Sequence, residues 1–147
     1  MTHKLPETSI VPLEAPYVDA RGVIQNLVHH ELGSAVIISS QAGAVRAEHW
    51  HREDFHYCYL VSGELLYCER PVGSKEEPSK TLIKAGQLFF TGPNIEHSMY
   101  FSMDSVFLTL GKLSRTHDAY EKDLVRLIDR LVDIPAVQEY ISKLHAK

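Results

Sequence analysis

The sequence predicts an all-β domain, closed or sandwiched into an antiparallel barrel, with a helical tail. Short β-branched and aromatic runs, cut at regular intervals by Gly and Pro, fill residues 17–112. After Lys112 the apolar residues change to a spacing of three and four. The chain accordingly divides into an N-terminal arm at 1–16, a single barrel at 17–112 and C-terminal helices at 113–147.

The arm carries Pro6, Pro12 and Pro16 and little periodicity, so it reads as extended chain with short edge-strand pieces, of a kind that often packs on a neighbouring subunit. Asp19-Ala20-Arg21-Gly22 is a turn, followed by strands at 23–28 and 33–40. Gln41-Ala42-Gly43 leads into a histidine-rich strand. Runs at 55–61 and 64–70, joined by Ser62-Gly63, have the pattern of a hairpin. The polar stretch 71–80, with Pro71 and Pro78, is an exposed loop. Strands resume at 81–83, 87–91, 97–101 and 105–110, and Phe89, Phe90, Tyr100, Phe101 and Phe107 form an aromatic stripe assigned to the barrel core. Tyr120, Leu124, Leu127, Ile128 and Leu131 predict an amphipathic helix, and Pro135 opens a second one carrying Val137, Tyr140, Ile141 and Leu144. Both are expected to cover the outside of the barrel.

At 147 residues, 44% hydrophobic and 23% charged, the chain can bury a core without staples. A net charge of -4 argues against a nucleic-acid or anionic-membrane surface, but leaves room for a small anionic ligand held by one or two arginines. The first residues show no apolar run of signal-peptide or membrane length, so the expected location is the cytoplasm. Cys58 and Cys68 lack metal or redox spacing and read as buried free thiols.

The chemistry concentrates between Gly43 and Gly63, in the spacing G-x5-H-x-H-x4-H-x6-G. His49 and His51 share one face of a strand, and such a pair gains little as core. His56 falls on the face of Cys58 and Leu60, opposite Tyr57 and Tyr59, with packing and site function both open to it. Arg46 stands at odd spacing from His49 and faces away unless a bulge intervenes. Arg21 could bind a ligand or pair with Asp19, and His97 could enter the site or cap a turn. His29 and His30 read as solvated surface, and His117 and His145 lie on the helices.

The histidine segment resembles the first cupin motif, with His56 where that motif usually has Glu, and Gly86 to His97 resembles the second, through its Gly, Pro and His. The resemblance implies a jelly-roll barrel with the site in its mouth. Asp19-Ala20-Arg21-Gly22 together with Arg46-Ala47-Glu48-His49-Trp50-His51 is further similar to the nucleotide-sugar cupins, the dTDP-4-dehydrorhamnose 3,5-epimerases and dTDP-4-keto-6-deoxyglucose 3,4-ketoisomerases. The ketoisomerases resemble it more closely, having His at both positions, and their C-terminal strand and Tyr- and Asp-rich helix look similar to residues 104–123. Ala47 replaces the family's Gly, His56 its Gln, and the epimerases' catalytic tyrosine falls near Leu110.

This resemblance implies an isomerase or epimerase working on a nucleotide-linked 4-keto sugar, expected as a homodimer, with no cofactor required. Its residues would be His49 as base, His51 as second acid/base, Arg46 or Arg21 on the diphosphate, Trp50 or a barrel Tyr stacked on the nucleotide base, and His97 in the substrate site. The rival expectation is a metal-dependent cupin enzyme in which His49, His51, His56 and His97 hold a divalent Fe, Zn, Ni or Mn. A non-enzymatic small-ligand or sugar-binding cupin is the third.

Overall fold

The computed structural model describes residues 4–147; the first three residues of the expected arm lie outside the described residues. The strands are β1 (Ile10–Val11), β2 (Tyr17–Asp19), β3 (Gly22–Ile24), β4 (Ser34–Ser40), β5 (Val45–His51), β6 (His56–Ser62), β7 (Glu64–Pro71), β8 (Ser79–Lys84), β9 (Leu88–Thr91), β10 (Ile95–Phe101), β11 (Ser105–Gly111) and β12 (Leu124–Arg126). The helices are α1 (His117–Asp123) and α2 (Ile134–His145). Two five-stranded antiparallel sheets, ordered β1-β9-β6-β11-β4 and β12-β5-β10-β7-β8, pack face to face, and β2 pairs only with β3 in a hairpin.

Alternation along the strands builds three apolar layers from two sheets. Leu60, Leu65, Tyr67, Ile83, Phe89, Phe101 and Phe107 fill the space between the sheets. Tyr57 and Phe90 point outward and are covered by the arm through Leu5, Val11 and Leu13. Tyr100 and Leu66 point outward from the other sheet and take Val137 and Ile141 of α2. The aromatic stripe is therefore split: Phe89, Phe101 and Phe107 are barrel core, whereas Phe90 and Tyr100 anchor the outer layers.

Two expectations need correction. The runs on either side of Ser62-Gly63 do not form a hairpin: β6 pairs with β9 and β11, while β7 pairs with β8 and β10. One residue separates them, short of the two-residue loop that a tight hairpin uses. Gly63, at φ 98°, instead carries the chain from one sheet to the other. The predicted helix over Tyr120 to Leu131 stops at Asp123. Leu124, at φ -80° and ψ 137°, is extended, and Leu124, Val125 and Arg126 pair with His51, Trp50 and His49. The open edge of β5 offers backbone partners to this segment, and those tertiary hydrogen bonds override its helical spacing. The periodic leucines still serve burial, since Leu124 and Leu131 are buried although neither is helical.

The corner at Gly63 is tight. A Cβ there would lie 2.1 Å from Ser105 Oγ and 2.6 Å from the Asp104 carbonyl oxygen, on a backbone that side chains rarely adopt. Gly63→Ala is expected to lower the unfolding free energy by about 2 kcal/mol or more, read from urea denaturation, through strain and overpacking together. An unchanged midpoint would contradict this account of the corner.

Candidate functional site

One end of the space between the sheets is polar. A cavity of about 120 Å³ is lined there by Arg46, His49, His51, His56, His97, Arg115 and Tyr120, with Cys58, Met99 and Phe107 among its apolar lining. β5 brings His49 and His51, β10 brings His97, and β6 brings His56. His97 lies opposite His49 across the β5–β10 ladder, and the ladder shifts register immediately after it. The shift is a bulge: Ala47 and Glu48 both adopt left-handed backbone, at φ 70° and 57°. The extra residue reverses the parity that would have turned Arg46 away, and Arg46 lines the same cavity as His49. Its guanidinium is held by the wall, Nε donating to Ser40 Oγ at 2.7 Å and Nη2 to the Ser39 carbonyl at 2.9 Å.

The imidazoles are close and mutually oriented. The His49 ring centroid lies 4.8 Å from that of His51 and 4.7 Å from that of His97, and both contacts are edge-on. Ligand nitrogens of His49, His51 and His97 lie within 4.8 Å of one another. His56 does not join this group. Its Nε2 is 3.1 Å from Asp54 Oδ2, close enough for a charge pair but off the angle of a hydrogen bond, and among the described residues this buried atom has no hydrogen-bond partner. Asp54 Oδ1 accepts from the Leu113 N–H at 3.0 Å. Burial pushes the Asp54 carboxyl up, but His56, the Leu113 N–H and His51 together outweigh it and leave its pKa lowered.

The ring tautomers follow from the partners. His97 Nδ1 is 3.0 Å from the Ile95 carbonyl, which can only accept, so Nδ1 carries the proton and Nε2 is bare. His51 Nδ1 lies 2.9 Å from Asp123 Oδ2, with His51 1% and Asp123 8% exposed. The carboxylate accepts a hydrogen bond from the Nδ1–H, which keeps the proton on Nδ1 and leaves His51 Nε2 as the basic atom. Asp123 is fixed in turn by the Glu53 N–H at 2.7 Å and the Asp54 N–H at 3.3 Å, both on Oδ1.

Burial holds these histidines neutral. It pushes His49 down to about 2, with His97, His51 and His56 adding repulsion. Burial likewise brings His97 to about 3. His51 is also lowered by burial and by His56, against the pull of Asp123. The thiols are inert: burial raises Cys58 to about 12 and Cys68 to about 11.

The sequence-predicted residues thus separate. His49, His51, His56, His97 and Arg46 converge on the cavity. Arg21 does not: it sits at the tip of the β2–β3 hairpin with Nη2 2.6 Å from Asp19 Oδ2, the pairing that was its alternative. Trp50 does not line the cavity, and the Arg52 guanidinium lies 5.9 Å from its ring centroid. Four residues were not singled out from sequence: Asp54, Asp123, Tyr120 and Arg115. Tyr120 stands 6.0 Å from the His51 ring and 6.4 Å from His49, with the Arg115 guanidinium 4.6 Å from its own ring. The Tyr- and Asp-rich tail that resembled the ketoisomerases was the signal for Tyr120 and Asp123.

The neutral cluster has a consequence for stability. An unfolded histidine takes up a proton near pH 6.5, whereas folded His49 and His97 stay neutral to about 2 and 3. Below pH 6.5 the unfolded state therefore binds more protons, and stability falls as the pH falls, by up to about 1.4 kcal/mol per pH unit for each group. The urea midpoint should drop steadily between pH 6.5 and 4.5, before most carboxylates titrate, and His97→Gln should flatten that slope. A midpoint independent of pH over this range would contradict the neutral cluster.

No protein-family model and no curated protein sequence matches the chain. Solved structures do. QdtA, a sugar 3,4-ketoisomerase from Thermoanaerobacterium thermosaccharolyticum in complex with TDP, is similar at a TM-score of 0.66 and 13% identity, covering 82% of this chain and 88% of that one. The dTDP-4-dehydrorhamnose 3,5-epimerase from Sulfolobus tokodaii is similar at 0.65 and 12%, covering 86% of each. CapF, a capsular polysaccharide assembling protein from Staphylococcus aureus, is similar at 0.59 and 19%, covering 79% of this chain. The chain spans about a third of CapF, 34% of its length. The fold is that of these solved structures, a jelly-roll barrel with, here, the histidines between its sheets at one end.

Proposed function

We propose that the chain is an isomerase or epimerase acting on a nucleotide-linked 4-keto sugar by histidine-mediated proton transfer, as a 3,4-ketoisomerase does. The observation that carries this reading is the His51–Asp123 pair, a neutral imidazole of fixed tautomer whose bare Nε2 stands beside His49 in a cavity. Removing a proton next to a ketone requires such a base, and a donor for the oxygen on which charge develops.

His51 Nε2 takes the proton from C3, and the C3–H electron pair moves toward the C4 oxygen to give an enediolate. His49 or the Tyr120 hydroxyl donates toward that oxygen. Return of a proton to C4, with loss of the proton from the C3 hydroxyl, leaves the ketone at C3. In this reading His51, backed by Asp123, is the base and His49 its partner, the reverse of the order expected from sequence. Cys58, Met99 and Phe107 give the cavity an apolar lining that disfavours water there. The similar structures support the substrate class: QdtA was solved with TDP, and in an Asn variant with TDP-4-keto-6-deoxyglucose.

A homodimer fits the exposed β2–β3 hairpin. Among the described residues it pairs with no other strand, and Tyr17, Val18, Val23 and Ile24 on it are 59% to 65% exposed. A two-stranded hairpin of this kind is marginal alone and gains from a second copy. Among the described residues no helix is long and apolar enough to cross a membrane. Two free thiols accord with work in the cytoplasm.

One observation favours a second reading. The nitrogens of His49, His51 and His97 suit a divalent transition metal, and two of these rings are already oriented through their other nitrogen, His51 by Asp123 and His97 by the Ile95 carbonyl. A metal held there would supply a Lewis acid for the ketone oxygen.

Incubated with dTDP-4-keto-6-deoxyglucose in deuterated water, the protein should incorporate solvent deuterium beside the ketone, read by NMR. His51→Asn and Asp123→Asn should each slow incorporation by about 100-fold or more with an unchanged circular dichroism spectrum. Full activity in His51→Asn would overturn the base assignment. Loss of activity on chelation, restored by one metal, would establish the second reading in its place.

A further inference from the structure

The cavity is short of negative charge. Among the described residues it is lined by two arginines and four histidines and by no carboxylate, since Asp54 and Asp123 are not in its lining. A ligand that fills it meets no carboxylate in that lining.

Among the described residues, Arg115 has the freer of the two guanidinium groups. Arg46 spends Nε and Nη2 on β4. Arg115 is half-buried and lines the cavity, its guanidinium lies over the face of Tyr120, 4.6 Å away, and among the described residues it makes no ion pair with a carboxylate. Stacking on an aromatic ring fixes the plane of a guanidinium while leaving its N–H fork available for two parallel hydrogen bonds. A half-buried cation without a counterion is costly, and a ligand oxyanion removes that cost. The charge is also felt inside, where Arg115 contributes to keeping His49 unprotonated.

We propose that Arg115, held by Tyr120, is the residue that seats an anionic oxygen group of the ligand at the rim of the histidine cavity. On the nucleotide-sugar reading, on which this assignment of the group rests, the oxyanion is the diphosphate. A sugar carboxylate offers the same fork of oxygens and is the other source. Arg115 is a binding residue and takes no part in proton transfer.

Titration calorimetry with TDP, inorganic pyrophosphate and glucuronate tests this on the wild-type chain and on Arg115→Gln, Arg115→Lys and Arg46→Gln, with melting curves to establish folding. Wild type should bind TDP and pyrophosphate, and Arg115→Gln should weaken both by at least about tenfold. Arg115→Lys should fall between, as a point charge without the fork, and gives the result if the Gln variant is unfolded. Binding of glucuronate alone, lost in Arg115→Gln, would sustain the anion seat and remove the nucleotide reading. TDP binding equal in wild type, Arg115→Gln and Arg115→Lys would overturn the seat and leave the nucleotide reading standing. No binding of any of the three anions to the wild-type chain would also overturn the seat.

Discussion

The buried carboxylate of Asp123 is the constraint on which the site depends. It accepts from the His51 ring and from the backbone N–H groups of Glu53 and Asp54, so one side chain joins the tail to β5 and to the connection that leads into β6. A carboxylate taken out of water must be fully hydrogen-bonded, and these three donors meet that need. Satisfying it ends α1, starts β12 on the edge of β5 and fixes which nitrogen of His51 is basic. Structure and chemistry at this point are a single interaction.

The bulge at Ala47 and Glu48 is the second constraint. Left-handed backbone at two successive non-glycine residues is strained, and it persists here because its surroundings hold it. Glu48 Oε2 accepts from the Leu131 N–H at 2.9 Å, and the Glu48 carbonyl accepts from the Leu127 N–H at 3.0 Å. The tail therefore secures the bulge while the bulge turns Arg46 inward. Tyr120 and Arg115 reach the cavity from the same tail, so one crossing segment supplies a carboxylate, a phenol and a guanidinium to a site whose histidines come from the barrel.

The barrel was legible because its signals are local. Gly and Pro punctuation marks strand ends, and alternation placed His56, Cys58 and Leu60 on one face and Tyr57 and Tyr59 on the other. The hairpin at Gly63 and the long first helix were misread because local pattern carries no information about strand partners. Leu124 to Arg126 have helical spacing, yet the unpaired edge of β5 claims their backbone. The histidine cluster was legible from spacing and resemblance. Asp123, Asp54 and Arg115 were not, since each acts through a contact roughly 60 or more residues away in sequence or through a cavity that exists only once the sheets close. Arg46 shows the same limit, since its direction depends on a bulge that parity cannot foresee.

The central claim is that the histidine cluster is neutral and that His51 is held with its proton on Nδ1. Long-range nitrogen–proton NMR of the imidazole side chains, followed from pH 8 to pH 5, tests it most directly. The account predicts that His49 and His97 show no titration over this range, that His51 is lowered from the ordinary histidine value, and that His51 and His97 carry their proton on Nδ1, with the His51 proton lost as a distinct signal in Asp123→Asn. Titration of these rings near pH 6.5, or a His51 protonated on Nε2, would contradict it.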